Sequence, residues 1–186
     1  MHVRELFAPA DAAQPAIPIT PLSQAAFAGW LAAQPPPGAA WVCSCRFSAD
    51  AAAVCLLPAA DGSIARVLLG RGAAPSMWDW AALPAALPPG RFLIDHVLDH
   101  DAAGRAALAW ALGCYRFARY VDEVRVWPML VWPEGVDADA VERLAGAIGR
   151  VRDLINTPAE HLGPEQLAAA VDALARRFGA RTTVLS

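Results

Sequence analysis

Ala52-Ala53-Val54-Cys55-Leu56-Leu57 and Ile64-Ala65-Arg66-Val67-Leu68-Leu69-Gly70 are two short β-prone runs on either side of a turn that contains Asp61-Gly62. This pattern predicts a β-hairpin, with a loop longer than that of the tightest hairpins. Nearly every position in both runs is apolar, which favours strands covered on both faces. The hairpin therefore predicts a sheet that is flanked by helices.

The segment before the hairpin is rich in proline and alanine. We expect a short strand followed by a loop over residues 6–19, and then a helix that opens at Pro21-Leu22-Ser23 and runs through Leu31. This helix should end before Pro35-Pro36-Pro37-Gly38, because proline removes an amide donor and clashes inside a helix. Trp41-Val42-Cys43 is interpreted as a further strand.

The segment after the hairpin alternates between strand and helix patterns. Prolines in residues 83–90 predict a loop or at most one helical turn. Strands are expected over residues 91–98 and 124–131, on either side of a largely buried helix over residues 101–118. The alternation predicts an α/β domain with a layered, mixed sheet.

A long amphipathic helix is predicted after Asp137, which can cap its first turn. Its apolar stripe has helical spacing over more than four turns, and Thr157-Pro158 ends it. The stripe consists of Val141, Leu144, Ala145, Ile148, Val151 and Ile155. Residues 1–136 are thus expected to form the main domain and residues 137–158 a connecting helix.

Residues 159–186 are interpreted as the start of a second domain. Pro164 is suited to the first turn of a helix whose apolar face includes Leu167 and Val171, and Gly179 is suited to ending it. A strand is expected to begin over residues 182–185. One helix and one strand do not complete a domain, so we expect exposed apolar surface here.

The composition narrows the classes of partner. The net charge of −3 offers no field that attracts phosphate backbones, and no arginine cluster replaces it, so nucleic-acid binding is not expected. The N-terminus has no secretory pattern, and no apolar run is long enough to span a membrane, so we expect a cytoplasmic protein. All 15 basic residues are arginine.

Four possible sites have structural alternatives that we favour. Cys43, Cys45, Cys55 and Cys114 match no metal or disulfide pattern and are expected to be buried, reduced thiols. On a strand, His96 and His100 would lie too far apart to share a metal ion. Gly70-x-Gly72 lacks the third glycine of a phosphate-binding loop. Arg116 and Arg119, beside Tyr115 and Tyr120, are suited to binding an anion or stacking on a base. The structural alternative, which we favour, is a helix end at which the arginines meet the last carbonyls.

A family resemblance emerges from two stretches. Arg152-Asp153-Leu154-Ile155-Asn156-Thr157-Pro158, followed by Gly163-Pro164, resembles the junction between the N-terminal and catalytic domains of leucyl aminopeptidases. Residues 111–120, Ala-Leu-Gly-Cys-Tyr-Arg-Phe-Ala-Arg-Tyr, are similar to a helix in the N-terminal domain of that family. Val121 departs from the lysine expected there, and Ala118 from a polar residue. The resemblance covers residues 52–186.

The resemblance implies an N-terminal domain with a macro-domain-like fold, joined by a helix to a catalytic domain that releases N-terminal amino acids from peptides. In the family, that second domain holds two zinc or manganese ions with two lysines and several acidic residues, and the whole enzyme forms a hexamer. This chain contains no lysine and lacks the Asn-Thr-Asp-Ala-Glu-Gly-Arg signature. No catalytic, metal-binding or cofactor-binding residue is therefore assigned, and the chain alone is expected to be inactive.

Two hypotheses follow from this resemblance. The first is a non-catalytic N-terminal portion of an aminopeptidase, which ends just inside the peptidase domain and whose natural partner is the rest of that domain. The alternative is a stand-alone macro-like module that binds a nucleotide or ADP-ribose.

Overall fold

The computed structural model of the chain describes residues 2–10, 14–121 and 125–184. The chain divides into two compact units, residues 1–146 and residues 147–186. The boundaries expected from the sequence, after residues 136 and 158, stay predictions. In the described part of the chain, no helix has both the length and the apolar character to cross a bilayer.

The first unit contains a six-stranded sheet with the order β1-β6-β5-β2-β4-β3. Its strands are β1 (Phe7–Ala8), β2 (Ile17–Leu22), β3 (Val54–Pro58), β4 (Ile64–Gly70), β5 (Arg91–Ile94) and β6 (Met129–Val131). Strands β3 and β4 form the predicted antiparallel hairpin, with Cys55 opposite Leu68. The other neighbouring strands run parallel, so the predicted mixed sheet is confirmed.

Helices of this unit are capped largely as the sequence indicates. They are a 3₁₀ helix (Val3–Leu6), α1 (Gln24–Ala32), α2 (Pro36–Ser44), α3 (Trp78–Ala81), α4 (Leu83–Ala86), α5 (His100–Gly113) and the N-terminal part, up to Gly146, of α6 (Ala138–Asn156). Ser23 Oγ accepts the Ala26 amide at 3.2 Å, and Asp99 Oδ1 accepts the Ala102 amide at 2.7 Å. Asp137 Oδ1 accepts the Ala140 amide at 2.9 Å, as expected. Each bond satisfies an amide that a helix start leaves without a partner.

Two hydrophobic cores lie on the two faces of the sheet. Alternation along each strand sends Ile19 and Val67 to one face, where α5 contributes the fully buried Trp110. Leu22, Cys55 and Leu68 point the other way and pack with residues of α1 and α2. The sheet is therefore flanked by helices, as the apolar strands predict.

The interpretation of Trp41-Val42-Cys43 as a strand is wrong, because these residues lie in α2. The preceding proline run does not prevent the helix. Pro36 and Pro37 occupy its first turn, where a helix leaves amides without partners in any case, so the missing donor costs nothing.

Strand β2 replaces only the end of the predicted loop, residues 17–19, and continues to Leu22, although it contains Pro18 and Pro21 and lies between β5 and β4. Prolines lack the amide donor that a central strand uses, so the sequence argues against a strand here. The predicted boundaries of two other strands also change. Strand β5 ends at Ile94, β6 starts only at Met129, and Val124 lies outside the described residues.

Helix α5 ends at Gly113 and not at Ala118. The apolar residues Tyr115 and Phe117 prolong the helical pattern in the sequence, but they follow the last turn. A Cβ atom at Gly113 would lie 2.3 Å from the carbonyl oxygen of Ala81, so the end of α5 meets the backbone of α3. Contact with α3 explains the glycine at the end of this helix.

The second unit contains the C-terminal part of α6 and helix α7 (Pro164–Phe178). Pro164 lies in the first turn, and Gly179 ends the helix with a φ of +66°, as predicted. The predicted strand is absent over the described residues 182–184, and Leu185 lies outside them. Thr182 Oγ1 donates instead to Asp172 Oδ1 of α7 at 2.8 Å.

Candidate functional site

The carboxyl ends of β2, β4 and β5 are where an α/β sheet would hold a ligand. After β2 the chain forms β3 and β4 on one side of β2, and it then crosses to β5 on the other side. Such a reversal opens a crevice in many α/β proteins. Here the strands end at Leu22, Gly70 and Ile94.

Gly70 and Gly72 are close to protein backbone and do not form an open cradle. A Cβ atom at Gly70 would lie 2.0 Å from the carbonyl oxygen of Asp50, and one at Gly72 would lie 3.1 Å from Cβ of Ala51. The Gly72 amide donates to the Ala49 carbonyl at 2.9 Å. A phosphate cradle needs free amides, whereas these glycines accommodate the chain segment that precedes β3.

Asp50 is held by two side chains beside this turn. The Ser48 hydroxyl donates to Asp50 Oδ2, and Gln24 Nε2 donates to Asp50 Oδ1 at 2.7 Å. Both bonds favour the carboxylate, with the Ser48 hydroxyl as the larger cause, and they lower the pKa of Asp50 below its ordinary value of 3.8. The cluster joins the start of α1 to the segment before β3.

Arg71, between the two glycines, forms a largely buried ion pair with Asp79. Its Nε lies 2.9 Å from Asp79 Oδ2, and its Nη2 donates to the carbonyl of Ser76 at 2.9 Å. Asp79 Oδ2 also accepts the Ser76 amide at 2.8 Å. The guanidinium lies 4.7 Å from the centre of the Trp80 ring. This network is not predicted from the sequence, because the spacing Arg-Gly-x-x-x-x-x-x-Asp gives little signal without knowledge of the intervening turn.

A second arginine network crosses three strands. Arg66 of β4 donates to Thr20 of β2 and pairs with Asp95, which follows β5. His96 and His100 are exposed in the loop after β5 and at the start of α5. In residues 2–10, 14–121 and 125–184, no group of three or more His, Cys, Asp or Glu side chains has the arrangement of a metal site.

The arginine and tyrosine stretch follows α5 instead of extending it. The Arg119 guanidinium lies 5.8 Å from the centre of the Tyr120 ring, and the rings of Phe117 and Tyr120 meet edge to face at 5.8 Å. These are local contacts of a loop, and because α5 ends at Gly113, Arg116 and Arg119 lie beyond the helix end where the structural alternative placed them.

The expectation of four buried thiols is half wrong. Cys55 and Cys114 are buried, whereas Cys43 and Cys45 are exposed. The reason is that residues predicted to form a strand form helix α2 instead. Cys43 lies in the last turn of this helix and Cys45 is its C-cap. Burial raises the pKa of the Cys114 thiol to about 12, with a smaller opposing effect of Arg125.

The stretch Arg152 to Pro164, which carries the family resemblance, lies in the second unit. The Thr157 hydroxyl donates to the Asp153 carbonyl at 2.7 Å, and this bond gives a partner to a carbonyl near the C-terminal end of α6. Gln166 Oε1 accepts the Gly163 amide at 3.1 Å at the start of α7. An apolar groove of about 460 Å³ is lined by Pro164, Leu167, Ala168, Val171, Thr182, Thr183 and Val184.

The residues present do not fit the two-ion centre that the resemblance implies. Such a centre needs lysines and a group of acidic side chains, and the sequence has no lysine. The part of the chain that the structure describes has no metal-binding group either.

The sheet order and the flanking helices define a mixed α/β domain. Residues 17–133 match the family model of the M17 aminopeptidase, N-terminal domain. The chain therefore belongs to the M17 aminopeptidase family and contains its N-terminal domain. No match is found among curated protein sequences.

Solved structures agree with this assignment. Cytosol aminopeptidase from Coxiella burnetii is 33% identical over 95% of this chain, with a TM-score of 0.81. The bottromycin maturation enzyme BotP and a mutant of tomato leucine aminopeptidase have 22% and 16% identity over 89% and 93% of this chain, with TM-scores of 0.67 and 0.65. The last two show the shared fold. BotP has also been solved with manganese.

The chain spans 39% of the Coxiella burnetii enzyme, 38% of BotP and 42% of the tomato enzyme. The match thus places this chain against the N-terminal portion of the family and leaves most of each relative outside it.

Proposed function

We propose that this chain is the non-catalytic N-terminal portion of a leucyl aminopeptidase whose complete form removes N-terminal amino acids from peptides. The observation that carries the proposal is the family match over residues 17–133, in a chain that has no lysine. The resemblance implies two divalent ions, zinc or manganese, in the complete enzyme, where they would supply Lewis-acid chemistry; no residue of this chain is assigned to hold them. The manganese complex of BotP supports this choice of metal.

Within the complete enzyme, this portion serves packing, assembly and access to the active site. Its natural partner is the remainder of the catalytic domain, and the complete enzyme is a homohexamer in the cytoplasm. The cytoplasmic assignment is supported by the relative that is named a cytosol aminopeptidase. The exposed apolar side chains of α7, Leu167 and Val171, support a catalytic-domain partner for the second unit.

The test is an assay of the purified chain on a leucine anilide with added manganese or zinc. We expect no turnover above that of the metal ions alone. The same preparation should bind neither ion tightly in calorimetry. Turnover that EDTA abolishes would overturn the assignment of a non-catalytic portion.

The alternative, a macro-like module for ADP-ribose, stays a prediction. At the carboxyl ends of the strands, the amide of Gly72 and the side chains of Gln24 and Arg66 already bond within the protein. Calorimetry with ADP-ribose separates the two functions, because micromolar binding has no role in a packing domain.

A further inference from the structure

The connection between α2 and β3 has unusual backbone geometry. We call residues 46–53 the connector. Arg46, Ala49 and Ala52 have φ angles of +54°, +58° and +61°, in the left-handed region that disfavours residues with a Cβ atom. Three such residues so close together persist only when the surrounding structure holds them. The buried Ala49, whose carbonyl accepts the Gly72 amide, is one such restraint.

Two cysteines flank the connector. Cys45 is the C-cap of α2, and Cys55 is the second residue of β3. Trp41 Nε1 donates to the Leu56 carbonyl at 2.8 Å, which fixes α2 beside β3. Cys45 follows Trp41 by four residues and therefore lies on the same side of the helix.

The side chain of Cys55 points toward the same helix. Cys55 packs with Val42 of α2 and with Phe47 of the connector in the second hydrophobic core. Cys45 follows Val42 by three residues, so the two cysteines approach each other from α2 and β3. Burial raises the pKa of the Cys55 thiol to about 12, and the neighbouring Cys45 thiol adds to this effect.

The two thiols differ in their access to solvent. Cys45 is exposed, whereas Cys55 is buried, at 4% of its full accessibility. A small oxidant in solution therefore meets Cys45 first. Cys55, which has a buried and poorly ionised thiol, reacts only with a group that is already placed beside it.

We propose that Cys45 and Cys55 form a redox-active pair that closes into a disulfide across the two ends of the connector. The Cys45 thiol loses its proton to solvent, and its sulfur attacks a low-molecular-weight disulfide such as oxidised glutathione. This step forms a mixed disulfide and releases one thiol. The Cys55 thiol then loses its proton, and its sulfur attacks Sγ of Cys45 and displaces the second thiol.

Overall, two protein thiols and one small disulfide are converted into one protein disulfide and two small thiols. Closing the bond fixes the separation of the connector ends and removes conformations from the unfolded chain. In a reducing compartment such a bond is transient, so the pair responds to oxidation and is not a permanent structural link. This inference does not depend on the proposed aminopeptidase function.

The experiment treats the folded 186-residue chain with oxidised glutathione, blocks the remaining thiols with an alkylating reagent and maps the peptides by mass spectrometry. We expect Cys45 linked to Cys55, with the exposed Cys43 alkylated in the folded chain and the buried Cys114 alkylated only after unfolding. Cys45→Ser should abolish the link and leave Cys55 reduced. Cys43→Ser is the matched control, since it removes the neighbouring exposed thiol and should leave the link unchanged.

Urea denaturation provides a second test that does not depend on peptide mapping. Oxidation should raise the urea midpoint of the original chain and of Cys43→Ser, but not that of Cys45→Ser. Reduction with dithiothreitol should reverse the shift. A Cys43–Cys45 link, a stable glutathione adduct on Cys45 beside a reduced Cys55, or links between chains alone would each overturn the proposal.

Discussion

Arg71 and Asp79 form a largely buried ion pair whose Nε and Oδ2 atoms lie 2.9 Å apart, with side chains that are only 15% and 5% exposed. Removing one member of such a pair leaves the other charge without compensation in a poorly hydrated place. The pair also fixes the turn from β4 to α3, because both side chains bond to the backbone of Ser76.

We predict that Asp79→Ala lowers the free energy of unfolding by about 3–5 kcal/mol. Urea denaturation measures the change, and Arg71→Met combined with Asp79→Ala should cost less than the sum of the single variants. The control is Asp139→Ala, which removes an exposed partner of Arg4 and should cost at most about 1 kcal/mol. Equal losses for the two aspartate variants would contradict the assigned role of the buried pair.

Two glycines of α5 should respond in opposite directions to alanine. A Cβ atom at Gly113 would meet the Ala81 carbonyl oxygen at 2.3 Å, whereas none of the described atoms lies within 4 Å of a Cβ atom at Gly104. Gly113→Ala should therefore destabilise the domain by about 1–3 kcal/mol through overpacking. Gly104→Ala should stabilise it by about 1 kcal/mol, because alanine favours helix. Thermal unfolding of both variants checks the signs.

Asp50 should contribute stability that depends on pH. Its pKa is lowered in the folded chain, first by the Ser48 hydroxyl and then by the Gln24 amide. The contribution is therefore fully present above the ordinary pKa of 3.8 and is lost as the pH falls through the lower, folded value. Urea midpoints of the original chain and of Asp50→Asn should differ at neutral pH and converge in acid. A difference that stays constant with pH would exclude this linkage, and Ser48→Ala should weaken it.

Amide hydrogen exchange should be slower in α5 than in α7. Helix α5 buries seven residues, including Trp110, whereas Ala175 is the buried residue within α7. Helices with few buried apolar contacts open at low free-energy cost. We expect the amides of residues 163–184 to exchange faster than those of α5 in hydrogen–deuterium exchange mass spectrometry. Equal protection of both helices would show that the second unit is held more firmly than its burial implies.

The sequence predicts the hairpin and α6 well because local periodicity and capping agree there. Val54 to Gly70 alternates between two buried faces, and Asp137 supplies the cap that α6 uses. These signals are short-range, so they can be read without knowing what packs against them.

The errors arise where long-range packing overrides local preference. Pro18 and Pro21 argue against a strand, yet the pairing of Ile19 with both Val67 and Ile94 places β2 at the centre. Gly70-x-Gly72 resembles half of a phosphate loop, but the two glycines instead accommodate Asp50 and Ala51. The buried pair of Arg71 and Asp79 depends on the same turn. None of these contacts has a periodic signature in the sequence.

The short edge strands of the sheet also limit edge-to-edge aggregation between copies of the chain. An edge strand offers unpaired amides and carbonyls to any passing strand, and long apolar edges promote aggregation. Here one edge, β1, has only two residues, and the other, β3, ends in Pro58. The indole of Trp41 further occupies the Leu56 carbonyl on β3. A chain that is 56% hydrophobic thus presents little template for cross-β growth.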